Sequence, residues 1–358
     1  MKIGIVGLPN AGKSTLFNAL TRAGAETAEY AFTTIDPNVA IVPIRDHRLE
    51  RVAEVVGSSD VVPETVEFAD IAGLVPGASR GEGLGNQFLA AIRETDAICH
   101  VVRCHAAAGV PHPEGRIDPA DDVELIETEL LAADLEQAER RLERVTKLAR
   151  AGGKEAIAER EWLAAVVEAL GTGRSARVVP VPEAAAEAPK RLSALTSKPV
   201  LYVANVDEGT GEVPPGIAEH AASAGAGAVA ISARVESELG ELDDPAEAAE
   251  MRAALGITES GIERLIAAAF ALLDLIVFFT ADAGKEALAR ALRRGGTAAE
   301  AAAQVHTDLE RGFVRAEVIG WRELVDAGGY AQARDRGTLR IEGRDYAVAD
   351  GEVVHIRA

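Results

Sequence analysis

The segment GLPNAGKS at residues 7–14 matches the phosphate-binding pattern G-x-x-x-x-G-K-[ST] at every position. Residues 1–6, just before it, are mostly apolar and predict a short strand, and residues 14–20 predict the first turns of a helix. This strand–loop–helix order is the context in which such a loop binds phosphate. A chance glycine loop ahead of a helix would leave the lysine, the hydroxyl and both flanking elements unexplained.

The residue types in this loop each have a chemical role in binding phosphate. Gly7 and Gly12 allow the backbone to curl, so that successive N–H groups point at phosphate oxygens. Lys13 brings a positive charge to the β- and γ-phosphates, and the hydroxyl of Ser14 can ligate Mg²⁺. The helix dipole adds to the attraction for an anion. The sequence therefore predicts a site for a nucleoside triphosphate with magnesium, in which Lys13 is also a catalytic group.

Composition and charge limit the remaining classes of protein. The 358 residues are 48% hydrophobic without an apolar run of membrane-spanning length, so no membrane association is expected. The immediate strand–loop–helix pattern leaves no room for a signal peptide and predicts a cytoplasmic protein. A net charge of −20 argues against broad nucleic-acid binding, and no DNA partner is expected. Residues 276–358 are nearly neutral, with 12 basic and 13 acidic residues, and are the expected place for any RNA contact.

The order of the predicted strands and helices indicates the fold class. Strands predicted at 38–43, 65–71, 96–103, 199–204 and 228–231 alternate with helical segments. Such alternation is typical of an α/β fold with a doubly wound, mostly parallel sheet. Ligand groups then collect at the carboxyl ends of the strands, where the phosphate loop lies.

Two regions depart from this pattern and divide the chain into domains. Residues 121–196 have apolar positions spaced by three and four, interrupted at Gly152-Gly153, and predict an inserted coiled-coil hairpin. The nucleotide domain then comprises 1–120 and 197–275, and 276–358 form a small α+β domain with one helix near 298–305. The strands predicted in this last domain are 277–280, 315–319, 338–341, 346–349 and 353–356.

Further residues follow the order found in GTPase-type switches. Thr34, in the loop after the first helix, would supply a second Mg²⁺ ligand. Asp70 would hold the metal through water, and the N–H of Gly73 would contact the γ-phosphate as a catalytic group. Thr-Thr and D-x-x-G are common turn sequences, but their order after a complete phosphate loop makes them significant. Ser232 and Ala233, after the strand at 228–231, complete the predicted nucleotide contacts.

Base recognition departs from that of a GTPase. Guanine specificity normally uses N-K-x-D after a late strand, and this chain has Asn205-Val206-Asp207-Glu208 there. Val206 removes the lysine stem that covers the base, and Glu208 moves the carboxylate one methylene further out. We therefore expect Asn205, Val206 and Glu208 to contact the nucleotide, and ATP to be preferred over GTP.

The residues around the γ-phosphate indicate slow hydrolysis. Leu74 stands where Ras-like switches have the glutamine that orients the attacking water. His112 is a candidate to position this water, although an exposed loop histidine between two prolines is the simpler interpretation. Asn10 either helps to bind a K⁺ ion over the phosphates or only stabilises the loop.

Five segments together resemble the YchF (Obg-like ATPase) family, within the Obg-related translation-factor NTPases. They are GLPNAGKST at 7–15, FTTIDPN at 32–38, DIAGLVPGASRGEGLGNQFL at 70–89, NVDE at 205–208 and HTDLERGFVRA at 306–316. The resemblance implies a P-loop nucleotide domain interrupted by a coiled-coil arm and followed by a TGS domain, a ubiquitin-like β-grasp fold. It also implies a preference for ATP and association with the ribosome through the arm and the TGS domain.

The resemblance also implies roles for particular residues. The family's Mg²⁺ ligands fall on Ser14 and Thr34, and its adenine contact falls on the region of Asn205. Its phosphate contacts fall on Asn10, Ala11, Gly12, Lys13, Ser14 and Thr15.

Several functional hypotheses remain open on the sequence alone. The leading one is a slow ATPase that acts as a molecular switch on a ribosomal partner, either rRNA or a ribosomal protein. A GTPase of the Obg type is the second, against which Val206 and Glu208 argue. A third is an ATP-responsive binding module whose hydrolysis is incidental. A metabolic kinase would leave the switch-like segments unexplained.

Overall fold

The computed structural model describes residues 1–25, 38–71, 84–106, 115–242, 244–257 and 259–358. Four residues with predicted roles in hydrolysis or metal binding, Thr34, Gly73, Leu74 and His112, lie outside this part of the chain. No helix in the described ranges is both long and apolar enough to cross a bilayer. The chain divides into two compact units, Met1–Ile41 with Glu67–Ala268 and Val42–Val66 with Ala269–Ala358.

Twelve strands and fourteen α-helices are found in the described residues. The strands are β1 (Lys2–Val6), β2 (Val39–Pro43), β3 (Asp60–Val62), β4 (Thr65–Asp70), β5 (Ala97–Cys104), β6 (Val200–Val206), β7 (Gly227–Ile231), β8 (Leu275–Thr280), β9 (Glu286–Arg293), β10 (Arg315–Gly320), β11 (Arg340–Glu342) and β12 (Glu352–Arg357). The helices are α1 (Lys13–Ala25), α2 (His47–Val56), α3 (Leu84–Arg93), α4 (Pro119–Ala149), α5 (Lys154–Gly171), α6 (Ala188–Leu192), α7 (Pro215–Ser223), α8 (Ala233–Leu239), α9 (Pro245–Ala254), α10 (Gly261–Leu272), α11 (Ala298–Val305), α12 (Thr307–Arg311), α13 (Trp321–Ala327) and α14 (Tyr330–Asp335).

A six-stranded sheet with the order β2-β4-β1-β5-β6-β7 organises the first unit. The pairs β1–β4, β1–β5, β5–β6 and β6–β7 are parallel. Every residue of β6, and all but the last of β5, is buried, so both faces of the sheet centre are covered. Helices α3, α4 and α7 pack on one of these faces. The parallel pairing places the carboxyl ends of β1, β4, β5, β6 and β7 along one edge, as the alternating pattern predicts.

The long helices α4 and α5 form an arm that leaves this sheet. Asp118 begins α4 by accepting a hydrogen bond from the N–H of Asp121 at 3.3 Å, with Pro119 at the first helical position. Their facing apolar side chains share one buried cluster with the segment that returns to the sheet. Glu159, 6% exposed, forms ion pairs with Arg141 of α4 at 2.6 Å and with Arg191 of α6 at 2.7 Å. It therefore links α5 to both of these helices.

One buried carboxylate fixes the returning segment of the arm. Asp134, 1% exposed, accepts hydrogen bonds from the N–H of Leu195 at 2.9 Å and from the N–H and hydroxyl of Thr196 at 2.7 and 2.8 Å. Burial raises the pKa of Asp134, although these hydrogen bonds oppose the shift. The chain therefore re-enters the sheet at β6 from a fixed point on α4.

The second unit is built on a mixed six-stranded sheet with the order β11-β10-β12-β8-β9-β3. Its outer strand β3 and the helix α2 come from residues 42–66, which the sequence pattern assigned to the nucleotide domain (1–120). The reason is packing: β3 pairs in parallel with β9, and apolar residues of α2 join a core formed with β8. Chain order alone does not reveal such a crossing between units.

Three further predictions for the C-terminal region need correction. Residues 346–349, predicted as a strand, form only a single bridge between Ala347 and Thr297. The strand β9 was missed because its sequence EALARALR consists of helix-forming residues, whose preference is overridden by pairing with β8 and β3. The helix predicted near 298–305 is present as α11, but the three helices α12 to α14 that follow it were not predicted.

Replacing Asp134 tests how strongly the arm is anchored. Asp134→Ala leaves two buried N–H groups without an acceptor, and we expect the free energy of unfolding to fall by about 2–4 kcal/mol. Hydrogen exchange of Leu195 and Thr196 should accelerate together with the loss of stability. Glu136→Ala is the matched control, because Glu136 is an exposed partner of Arg140 and its loss should cost under about 0.5 kcal/mol. Equal effects of the two substitutions would contradict the anchoring role.

Candidate nucleotide site

The loop between β1 and α1 has the backbone geometry of an anion-binding loop. Asn10 and Gly12 have positive φ angles of 63° and 99°, which turn consecutive N–H groups toward the same side. Gly7 passes so close to β5 that a Cβ there would lie 2.4 Å from the carbonyl oxygen of Val101. Helix α1 begins at Lys13 and leaves its first N–H groups without intrahelical partners. The predicted phosphate loop is therefore present in shape as well as in sequence.

Asn205, at the end of β6, packs against this loop. Its Nδ2 donates to the carbonyl oxygen of Ala11 at 2.9 Å, and its Oδ1 accepts from the N–H of Ala233 at 3.1 Å. Asn205 is 5% exposed, and a Cβ on Gly12 would lie 2.1 Å from its Nδ2. Glycine is thus required at position 12 for two reasons: its φ is positive, and the Asn205 amide leaves no room for a Cβ. The side chain of Asn205 holds the loop and the start of α8 together.

Lys13 and Asp70 supply opposite charges beside the loop. Lys13 is 8% exposed, and its Nζ donates to the carbonyl oxygen of Leu8 at 2.8 Å. Asp70 ends β4 and pairs in register with Ile5 of β1. Burial lowers the pKa of Lys13 and raises that of Asp70, and in each case the other residue's charge opposes the shift. A poorly solvated ammonium with one carbonyl partner is well suited to receive a phosphate.

The other predicted contacts divide into exposed and packed side chains. Ser14, Thr15 and Glu208 are exposed, and Ser232 is partly exposed just before α8. Val206, in contrast, is 3% exposed and packs in an apolar cluster with Ala204 and Ala230. This packing leaves only the backbone of Val206 for contact with a ligand.

Sequence reasoning missed two residues at this edge of the sheet. Arg103, 1% exposed, lies opposite Asn205 in the β5–β6 pairing and donates from Nε to the carbonyl oxygen of His105 at 3.3 Å. Asp207 accepts from the N–H of Ala106 at 3.4 Å, which joins the loops after β5 and β6. Burial and Arg103 lower the pKa of His105, against the opposing effect of Asp207. The signal available in the sequence was an arginine within the otherwise mostly apolar strand segment AICHVVRC.

A phosphate loop at the carboxyl edge of a parallel, doubly covered sheet defines a P-loop nucleotide-binding protein. Comparisons with known proteins support this class and narrow it. Residues 2–143 match a family model described as a 50S ribosome-binding GTPase. Residues 275–358 match the model YchF-GTPase_C, described as a protein of unknown function.

Similar proteins cover the chain from end to end. The ribosome-binding ATPase YchF of Bacillus subtilis (strain 168) is 48% identical over 99% of this chain and 98% of its own length. That of Haemophilus influenzae is 49% identical, also over 99% and 98% of the two chains. The solved structure of the Schizosaccharomyces pombe YchF GTPase has a TM-score of 0.86 and 34% identity, and covers 100% of this chain and 97% of that one. The chain belongs to the YchF family, as its sequence segments indicate.

Gly12→Ala tests the geometry of the loop. The added Cβ requires displacement of the Asn205 amide and is strained at a φ of 99°, so we expect nucleotide affinity to fall at least about tenfold, or about 1.4 kcal/mol. Equilibrium titration with a fluorescent ATP analogue measures this loss. Gly216→Ala is the control, because a Cβ there meets nothing within 4 Å. Unchanged affinity of Gly12→Ala would contradict the described contact.

Asn205→Asp separates the two hydrogen bonds of the amide. The carboxylate still accepts from Ala233 but cannot donate to the carbonyl of Ala11, so two acceptors face each other. We expect about a tenfold loss of nucleotide affinity and also a lower melting temperature, because the buried carboxylate faces the carbonyl of Ala11 without a donor. The same titration of Asn18→Asp, an exposed change on α1, gives the effect of added charge alone. If both variants bind equally, the donation to Ala11 does not support the loop.

Proposed function

We propose that this protein binds ATP with Mg²⁺ at the described loop and hydrolyses it slowly to ADP and phosphate. The observation that carries the proposal is the phosphate loop held in position by Asn205, with the poorly solvated ammonium of Lys13 inside it. A preorganised positive site of this kind stabilises the charge that develops on transferred phosphoryl oxygens. Lys13 is therefore assigned to binding and to transition-state stabilisation.

The donors beside the loop fit magnesium. The hydroxyl of Ser14 is exposed in the first turn of α1, and the carboxylate of Asp70 ends the neighbouring strand β4. Both are hard oxygen donors of the type that Mg²⁺ selects. We assign Ser14 and Thr34 as direct ligands and Asp70 as a ligand through water. When bound, the metal would neutralise negative charge on the phosphate oxygens. Asn10, exposed at the loop, is the residue through which a K⁺ ion would act.

The preference for ATP rests on the loop after β6. Glu208 is exposed there, and its charge acts on Arg234 of α8 rather than on a buried partner. A lysine at position 206 would have to replace a valine that belongs to an apolar cluster. The lysine of the guanine-reading N-K-x-D pattern is therefore absent, and the carboxylate is present on a longer side chain. The names of the relatives differ on this point, since the bacterial proteins are called ATPases and the yeast protein a GTPase.

Slow turnover and a switch-like role remain part of the proposal. Leu74 cannot orient an attacking water, and Gly73 and His112 are the remaining candidates for contact with the γ-phosphate and the water. An ATP-responsive binding module with incidental hydrolysis is the alternative. A hydrolysis-blocked variant that retains ATP-dependent association with its partner would favour this alternative.

Equilibrium binding of labelled ATP and GTP at matched salt and Mg²⁺ tests base preference. We expect ATP to bind at least about tenfold tighter, a difference of about 1.4 kcal/mol. Glu208→Asp, which shortens the acid to the length used by GTPases, should narrow this ratio. Glu212→Asp, an exposed substitution in the same loop between β6 and α7, should leave this ratio unchanged. Equal or tighter GTP binding would instead support a GTPase of the Obg type.

Association with the ribosome, and hence a cytoplasmic location, is the second part of the proposal. The bacterial relatives are named ribosome-binding ATPases. We propose that the helical arm, as a coiled-coil hairpin, and residues 276–358, as a TGS domain, make the contact. The arm provides a specific observation, because its tip is basic in an acidic protein. Residues 140–154 contain six basic side chains and one acidic side chain, whereas the whole chain has a net charge of −20.

The basic side chains at the arm tip are available to a partner. Arg144, Arg150 and Lys154 are exposed, and none of them forms an ion pair with a described acidic residue. Residues 140–154 contain no aromatic side chain that could stack on a base. The pattern therefore fits the phosphate backbone of rRNA rather than exposed bases.

Charge reversal at the tip tests this contact. The triple variant Arg144→Glu/Arg150→Glu/Lys154→Glu should weaken cosedimentation with purified ribosomes at least tenfold and lower the salt slope by about three. Its ATP affinity should be unchanged. The control Arg51→Glu/Arg116→Glu/Arg234→Glu makes the same change in net charge at exposed sites outside residues 121–196 and 276–358. If the control variant weakens cosedimentation equally, the effect comes from net charge and not from a contact at the arm tip.

A further inference from the structure

A cavity lies at the root of the arm, on the sheet face that α4 and α7 cover. It has a volume of about 240 Å³ and is enclosed by the sheet, by α4 and α7, and by the segment that follows α5. Side chains alternate between sheet faces, so Tyr202 in its wall and Asn205 three positions later point in opposite directions. The apolar part of its lining includes Ile98, Ile126, Leu130, Leu131, Leu195 and Val200.

A buried histidine in the cavity wall lacks a hydrogen-bond partner. His100 is 2% exposed and stacks obliquely on Tyr202, with the ring centroids 5.6 Å apart. Within the described part of the chain, neither ring nitrogen forms a hydrogen bond. Burial lowers the pKa of His100 to about 4, so the neutral ring offers one N–H donor and one acceptor. Buried polar groups are usually satisfied, and this one borders an open volume.

The cavity also contains a polar cluster that is already satisfied. Oε1 of Glu127 accepts from the hydroxyl of Tyr202 and lies 2.9 Å from Nε2 of His220. The same nitrogen of His220 lies 3.2 Å from the Tyr202 hydroxyl. The rings of Tyr202, His220 and His100 therefore form a fixed aromatic wall. Such walls favour a planar aromatic ligand in an offset or edge-on arrangement.

Two arginines place positive charge at the cavity mouth. Nε of Arg177 donates to the carbonyl oxygen of Thr196 at 3.0 Å, and Nε of Arg174 donates to the hydroxyl of Thr172 at 3.2 Å. These bonds orient both guanidinium groups, and their terminal nitrogens have no acidic partner among the described residues. Since Glu127 adds one negative charge, a singly charged anion fits better than a dianionic phosphate.

We propose that this cavity binds a small aromatic carboxylic acid. The ring lies between the apolar residues and the aromatic wall, a polar ring atom pairs with His100, and the carboxylate meets Arg174 and Arg177. The volume, below that of a typical drug pocket, limits the ligand to one or two rings. An apolar enclosure with a few converging polar groups is the usual composition of a small-molecule site. The proposal does not depend on the nucleotide bound elsewhere.

Calorimetric titration of the full-length protein with three matched probes tests the charge preference. The probes are indole-3-acetate, its neutral analogue indole-3-acetamide and the cationic tryptamine. We expect indole-3-acetate to bind at least tenfold tighter than the other two. Arg174→Ala/Arg177→Ala should remove this preference without changing ATP affinity, whereas the exposed pair Arg51→Ala/Arg116→Ala should bind like the unmodified protein. Equal binding of the three probes, or no saturable binding, would overturn the proposal.

A second comparison tests the role of His100. Naphthalene-1-acetate has a similar shape but lacks the ring N–H, so it should bind several-fold more weakly than indole-3-acetate. His100→Phe keeps a ring but removes both nitrogens, and should abolish this difference. Because the double mutant of the arginines alters only exposed side chains, it keeps the test informative if His100→Phe does not fold. Ordered water alone on His100 in crystals soaked with millimolar indole-3-acetate would contradict the proposal.

Discussion

Asn205 donates to the carbonyl of Ala11 and accepts from the N–H of Ala233, while it is buried at the end of a central strand. The phosphate loop, the strand β6 and the start of α8 are therefore joined through one amide. Gly12 has to be glycine because this amide occupies the place of a Cβ. The residue that marks base recognition in the sequence thus acts structurally as a support of the phosphate loop.

The arm is joined to the same strand. Tyr202, three residues before Asn205, donates its hydroxyl to Glu127 of α4, and Asp134 fixes the segment just ahead of β6. Both ends of the arm are consequently tied to the strand that supports the phosphate loop. These contacts join the arm to the strand that carries Asn205, and the cavity beside Tyr202 lies among them.

Much of the fold followed from the sequence because its signals are local. The phosphate loop, the parallel strands and the two arm helices are encoded by short motifs and by periodicity. The strand β9 and the pairing of residues 42–66 with the second unit were missed because they depend on partners far along the chain. The double role of Asn205 and the packing of the His100 ring against Tyr202 arise from three-dimensional contacts, which no spacing in the sequence displays.

A crystal structure with Mg²⁺ and a non-hydrolysable ATP analogue would test the central claim most directly. We predict that Nδ2 of Asn205 remains within about 3.2 Å of the carbonyl oxygen of Ala11. We also predict that Nζ of Lys13 leaves the carbonyl of Leu8 for the phosphates. An Asn205 side chain that turns away from Ala11 to bind the base, with Lys13 still on Leu8, would contradict the account.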